Sequence, residues 1–138
     1  MKFWTILFFL LSACGTGTGN SGGDEGPNGG ESVAQQASVI LSEAVAQVKA
    51  MPEIFPEVNL NAMDKTAARA RIQVKPKTYA GGAETDAVNN GFDIIELNGS
   101  RWNRIFPAER KTALLLHELF GLMGVETSAN YSVSNRIL

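Results

Sequence analysis

The chain's single histidine, His117, is followed directly by Glu118 in the run LLLHELFGLMGVE, Leu114 to Glu126. An imidazole can ligate a metal ion or move a proton near neutral pH, and a carboxylate beside it can serve as general base. On a helix such a pair does metal chemistry when a second histidine follows one turn later, because residues four apart share a face. Gly121 holds that position, and Thr127 stands three residues after Gly124, where a third ligand would fall. The only cysteine is Cys14, so neither nitrogen nor sulfur ligands can fill the gap. A catalytic zinc usually holds three protein ligands and one open position. His117 with Glu126 and a distant carboxylate such as Asp93 or Glu96 would be an unusual set.

The surrounding faces suggest a quieter role. Leu115, Leu119 and Leu122 form one apolar ridge, and Leu116, Phe120 and Met123 another. His117 lies in a stripe of small residues with Ala113, Gly121 and Gly124. A buried imidazole there can bond a carbonyl of the tail, residues 127–131. Glu118 can bond the same tail or pair with Arg101 or Arg104. A satisfied buried polar pair of this kind fixes one packing arrangement. A hydroxyl from Tyr131, Ser132 or Ser134 with His117 as base is a further arrangement, but no G-x-S-x-G elbow supports it. The structural role is the expectation.

These residues carry two resemblances. His117, Glu118 and Gly124 resemble the H-E-x-x-H-x-x-G-x-x-H helix of one group of zinc proteases, which lacks its second and third histidines here. That resemblance implies a zincin-like architecture and, as the alternative function, a divergent metal-dependent hydrolase with His117 as ligand and Glu118 as base. The second covers about 40 residues and is similar to small uncharacterised envelope proteins of predatory and related bacteria. It rests on Ile95, Leu97, Asn98, Ser100, Arg101 and Trp102, then on His117, Glu118, Gly121, Leu122, Gly124 and Glu126, and last on Asn130, Tyr131, Ser132 and Ser134. It implies that Gly121, Gly124, Glu126 and Tyr131 belong to a structural motif, and it implies no activity.

The elements that must position this helix read as follows. Ser32 to Ala50 is an amphipathic helix, with Ser32 and Gln35 as a capping box and Met51-Pro52 as the stop. Leu60 to Ala68 is a short helix. Arg69 to Lys75, RARIQVK, alternates as a half-buried strand. Its cations, with Lys77, are expected to form a solvated strand face that discourages edge pairing, in preference to an anion site. Residues 83–97 read as a hairpin about Asn89-Asn90-Gly91. Ser100 caps a helical turn holding Trp102 and Ile105. The last helix runs from about 107 to 122, with Pro107 in its first turn and Gly124 as a left-handed cap. Three helices and a short antiparallel sheet, not in strict alternation, predict an α+β domain over residues 31–138.

The N-terminal part predicts where the domain sits. Met1-Lys2 precedes an apolar run, Phe3 to Leu11, too short to span a bilayer but suited to a signal-peptide core. Leu11-Ser12-Ala13-Cys14 resembles the bacterial lipobox. The resemblance implies removal of residues 1–13 and lipid on Cys14, and several acyl chains on one residue anchor stably. Residues 15–30, part of a 14–30 linker, hold eight glycines in sixteen residues and no large apolar side chain. Such a segment is expected to stay a flexible tether of roughly 20–25 Å. Gly15, not the aspartate of the inner-membrane retention signal, directly follows Cys14, and resemblance to that sorting signal implies the outer membrane over the inner.

Composition narrows the rest. At 138 residues with 44% apolar and 19% charged content, one small domain is expected. A net charge of -2 gives no broad basic face for nucleic acid. One cysteine permits no internal disulfide. No phosphate loop, calcium loop or heptad run is present. The expectation is a non-catalytic envelope lipoprotein, bound to a membrane through its lipid, with an envelope protein as possible partner and no metal or other cofactor.

Overall fold

The computed structural model describes residues 28–127 and 129–138. The expected signal peptide, the expected lipidation site Cys14 and the expected tether up to residue 27 lie outside the described residues. The remainder is α+β.

The first helix, α1, spans Asn28–Ala50. It starts ahead of Ser32, so the expected capping box falls inside the helix, where upstream carbonyls serve its amides. Ala37, Leu41, Ala44, Val45 and Val48 are buried on one face, as the apolar spacing predicts. Helix α2, Leu60–Arg69, opens at Asn59, whose Oδ1 accepts the Ala62 amide at 3.0 Å.

Five short strands follow: β1 Arg71–Lys75, β2 Thr78–Ala80, β3 Ala83–Thr85, β4 Ala87–Asn89 and β5 Ile94–Asn98. They form a three-stranded sheet in the order β1-β5-β4 and a separate two-stranded sheet of β2 and β3. The expected antiparallel sheet is therefore mixed. β4 and β5 make the predicted hairpin, but β1 runs parallel to β5, with Ile72 opposite Ile95 and Val74 opposite Leu97. A parallel pairing needs a long crossover, and residues 76–93 supply it. The first arm of the hairpin expected over 83–97 breaks at Asp86, because β3 turns away to pair with β2 across Gly81 and Gly82.

Gly99 opens a short helix, α3, Gly99–Trp102, with Asn98 at the cap position and Ser100 Oγ donating to Asn98 Oδ1 at 2.8 Å. The expected Ser100 cap is thus displaced by Asn98. A Cβ on Gly99 would lie 2.8 Å from Val74 Cγ1, so glycine lets α3 start close against β1. Trp102 is fully buried and donates from Nε1 to Gln36 Oε1 of α1 at 2.7 Å.

Helix α4, Glu109–Leu122, begins two residues later than Pro107; tight turns, Arg110 N–H to Pro107 O and Lys111 N–H to Ala108 O, precede it. Residues 113–120 and Leu122 are all buried, so the second half of α4 lies inside the domain, while Glu109 and Arg110 at its start are exposed. It packs on α1, α2, β4 and a 3-10 helix, Ser134–Ile137. The domain is thus assembled around the helix that carries His117 and Glu118.

Candidate functional site

Two glycines shape the surroundings of His117. Gly124 adopts φ 72°, and α4 ends there in a paired closure: Gly124 N–H donates to Gly121 O at 3.1 Å and Val125 N–H to Phe120 O at 2.8 Å. This is the Schellman arrangement, which satisfies the last carbonyls and reverses the chain. The reversal returns Glu126 to the face of His117. Glu126 Oε2 lies 2.9 Å from His117 Nδ1, with both side chains almost wholly buried. A carboxylate oxygen accepts, so Nδ1 is the donor in this pair. Glu126 Oε1 accepts two backbone amides, Val133 at 2.6 Å and Ser134 at 2.8 Å. Tyr131 lies flat on the imidazole, ring centres 3.6 Å apart and planes 12° apart. One carboxylate therefore fastens the histidine and the C-terminal segment to each other.

Gly121 serves the other side. A Cβ there would collide with the side-chain amide of Asn89. Asn89 Oδ1 accepts the Gly91 amide at 3.1 Å, closing the hairpin turn, and its Nδ2 donates to Glu118 Oε2 at 2.8 Å. The space beside Gly121, where a second metal-binding histidine would begin, is thus filled by the partner of Glu118. Burial pushes the Glu118 carboxyl above its ordinary value of 4.5, opposed by the bond from Asn89. The Tyr131 phenol is pushed up to about 12, by burial first and then by the charges of Glu118, Asp86 and Glu126. A cavity of about 200 Å³ is lined by His117, Glu118, Asn89 and Tyr131 among others.

The expected site residues fall into two sets. His117, Glu118, Gly121, Glu126 and Tyr131 are brought together, with Gly124 making the turn. Others are kept apart. His117 bonds the Glu126 carboxylate, not a tail carbonyl. Glu118 bonds Asn89, not Arg101 or Arg104. Arg101 instead pairs through Nε with Asp86 at 2.8 Å and donates to the Glu84 carbonyl at 3.1 Å. Asp93 is taken by Arg71 at 2.8 Å, and Glu96 lies 3.9 Å from Lys75. Lys77 pairs likewise with Glu84 at 3.8 Å, so three of the cations grouped about β1 face acids. Ser132 is exposed, and Ser134 is engaged with Glu126 through its backbone amide. Among the described residues no three His, Cys, Asp or Glu side chains are placed to hold a metal ion.

Sequence reasoning missed Asn89, which it treated only as a turn residue. The signal was local: Asn89-Asn90-Gly91 uses the Asn89 oxygen for the turn and leaves its amide free to donate elsewhere. It also missed an open cleft on the far side of Tyr131, lined by Arg101, Arg104 and Arg110.

Comparison with protein-family models, with curated proteins and with solved structures finds no match to this chain.

Proposed function

We propose that the chain is a lipid-anchored envelope lipoprotein whose folded domain acts by binding, and that His117, Glu118 and Glu126 are its internal fastening. One observation carries this reading. Both oxygens of Glu126 are committed, one to His117 and one to the Val133 and Ser134 amides, while Tyr131 covers the ring. A ring clasped in this way is well suited to holding the C-terminal segment in place. The anchor rests on the lipobox around Cys14, and the outer membrane on the residue after it. No helix among the described residues is long and apolar enough to cross a membrane, so attachment of this part through lipid is compatible with the fold. A zincin-like architecture is proposed from the helix motif and its place at the centre of an α+β domain.

A divergent metal-dependent hydrolase is the second reading, and one observation favours it. A carboxylate on Nδ1 is how many metal-binding histidines are oriented, and Glu118, with a raised pKa, shares the adjoining cavity. The two readings separate in one experiment. The purified full chain is equilibrated with zinc, and its metal content and thermal stability are measured beside His117→Ala. The fastening reading expects no stoichiometric zinc and a variant less stable by about 2 kcal/mol. One zinc per chain, lost in the variant, would overturn it in favour of the hydrolase. Labelling of Cys14 by radioactive palmitate in cells, absent in Cys14→Ser, tests the anchor separately.

A further inference from the structure

An open cavity lies between α3, the start of α4 and the C-terminal segment. Its volume is about 630 Å³, within the range of small-molecule sites. Arg101, Arg104 and Arg110 line it, with Asp86 as the only acidic side chain of the lining. Asp86 is already bound to Arg101. Arg104 and Arg110 are exposed, and neither guanidinium makes an ion pair or side-chain hydrogen bond among the described residues. Two guanidiniums with no ion pair among the described residues thus line one cleft, in a protein whose net charge is -2.

The contrast with the rest of the surface is informative. Lys49, Arg71, Lys75, Lys77, Arg101 and Arg136 each stand beside a carboxylate. The cations left open include the two that share a cavity. Guanidinium forks bind oxyanions bidentately, and two forks balance the charge of a dianion. The apolar part of the lining includes Ala113 and Leu114 of α4, and Phe106, also in the lining, is 83% exposed. Tyr131 closes the inner wall as a neutral phenol able to donate.

We infer that this cleft is a binding site for a phosphate monoester, its dianionic head held by Arg104 and Arg110 and its ester group lying against the apolar part of the lining, beside Phe106. The site is separate from the His117 cavity and independent of whether the chain is lipid-anchored. Tyr131 lines both cavities, so an occupied cleft would brace the ring that covers His117. The same head group exists on small soluble esters and on phosphatidic acid, and the test separates these sources.

The full chain is titrated with glycerol 3-phosphate by calorimetry, and with phosphatidylcholine vesicles with and without phosphatidic acid by co-sedimentation. Arg104→Gln/Arg110→Gln and the charge-retaining Arg104→Lys/Arg110→Lys are run in parallel. All three proteins carry the same N-terminal segment, so its own affinity for vesicles cancels. The expected result is saturable binding at one site per chain, weakened about tenfold or more in the glutamine variant and less in the lysine variant. Binding of glycerol 3-phosphate assigns a soluble ester, and a phosphatidic acid effect without it assigns the lipid. Absence of saturable binding to either probe overturns the proposal. So does binding that is equal in wild type and both variants.

Discussion

On its two sides, Tyr131 faces opposite kinds of polar chemistry. Toward the interior, Glu126 and His117 form an enclosed pair whose carboxylate oxygens are both committed, one to the ring and the other to backbone amides. Toward solvent, Arg104 and Arg110 line an open cleft without a partner among the described residues. The buried pair looks like an active site by residue type, and the arginines look like ordinary surface. Saturation reverses that ranking. A charge that is buried and fully bonded specifies a packing arrangement, whereas charges grouped in a cavity and left unbonded await an ion.

Substitutions that open the interior pair should therefore damage the fold, and those in the cleft should not. The largest effect is expected from Glu126→Ala. It strands the His117 Nδ1 hydrogen and two buried amides, and removing one member of such a pair costs about 3–5 kcal/mol. In a domain of this size that lowers Tm by on the order of 15 °C, read by calorimetry. A fall of only a degree or two would show that the pair is not a fastening.

Gly121→Ala comes next. Alanine usually stabilises a helix interior by about 1 kcal/mol over glycine. Here its methyl group displaces the Asn89 amide and deprives buried Glu118 of its donor, so a net loss of about 1 kcal/mol is expected in urea unfolding. A net gain would mean that Asn89 yields freely.

Glu118→Gln should have a sign that depends on pH. The folded-state pKa is raised above 4.5, so the folded protein holds the proton more tightly than the unfolded chain. Stability then falls as pH rises from about 4.5 through the folded pKa, and the full burden of the ionised carboxylate is present above that pKa. Glutamine removes the burden and still accepts from Asn89. The variant should melt above wild type at neutral pH, with the difference closing as pH drops below about 4.5. A difference that does not change with pH would refute the burial argument.

The smallest effect on stability belongs to Arg104→Gln/Arg110→Gln. With no partner to lose, its denaturant midpoint should stay within about 0.5 kcal/mol of wild type. A larger loss would move these arginines from the cleft's chemistry to the fold's.

Much of the frame was legible in the sequence because it depends on local rules. The spacing of Ala37, Leu41, Ala44 and Val48 gave the buried face of α1, Asn89-Asn90-Gly91 gave the hairpin, and Gly124 gave the helix cap. The parallel pairing of β1 with β5 was not legible, since no local signal tells a strand which distant partner it will meet. The same limit governed the site. His117, Glu118 and Glu126 were found as residue types, but His117 and Glu118 were expected to meet other partners and Glu126 was given none. Which donor reaches Glu118 depends on a hairpin 29 residues away, at Asn89. Arg104 and Arg110 carried no motif at all, and only the fold sets them around one space.

The fastening is also local in sequence. His117 lies nine residues from Glu126, and Glu126 seven and eight from the amides it accepts. Closing loops so short costs little chain entropy. Trp102, by contrast, reaches Gln36 across 66 residues. The C-terminal segment is held at longer range as well, where Arg136 pairs with Glu57 at 2.7 Å and donates to the Ile54 carbonyl at 3.0 Å, so the Glu126 contacts are the local part of its attachment. In hydrogen exchange the Val133 and Ser134 amides would behave as a single latch, released together by one bond-breaking event at Glu126.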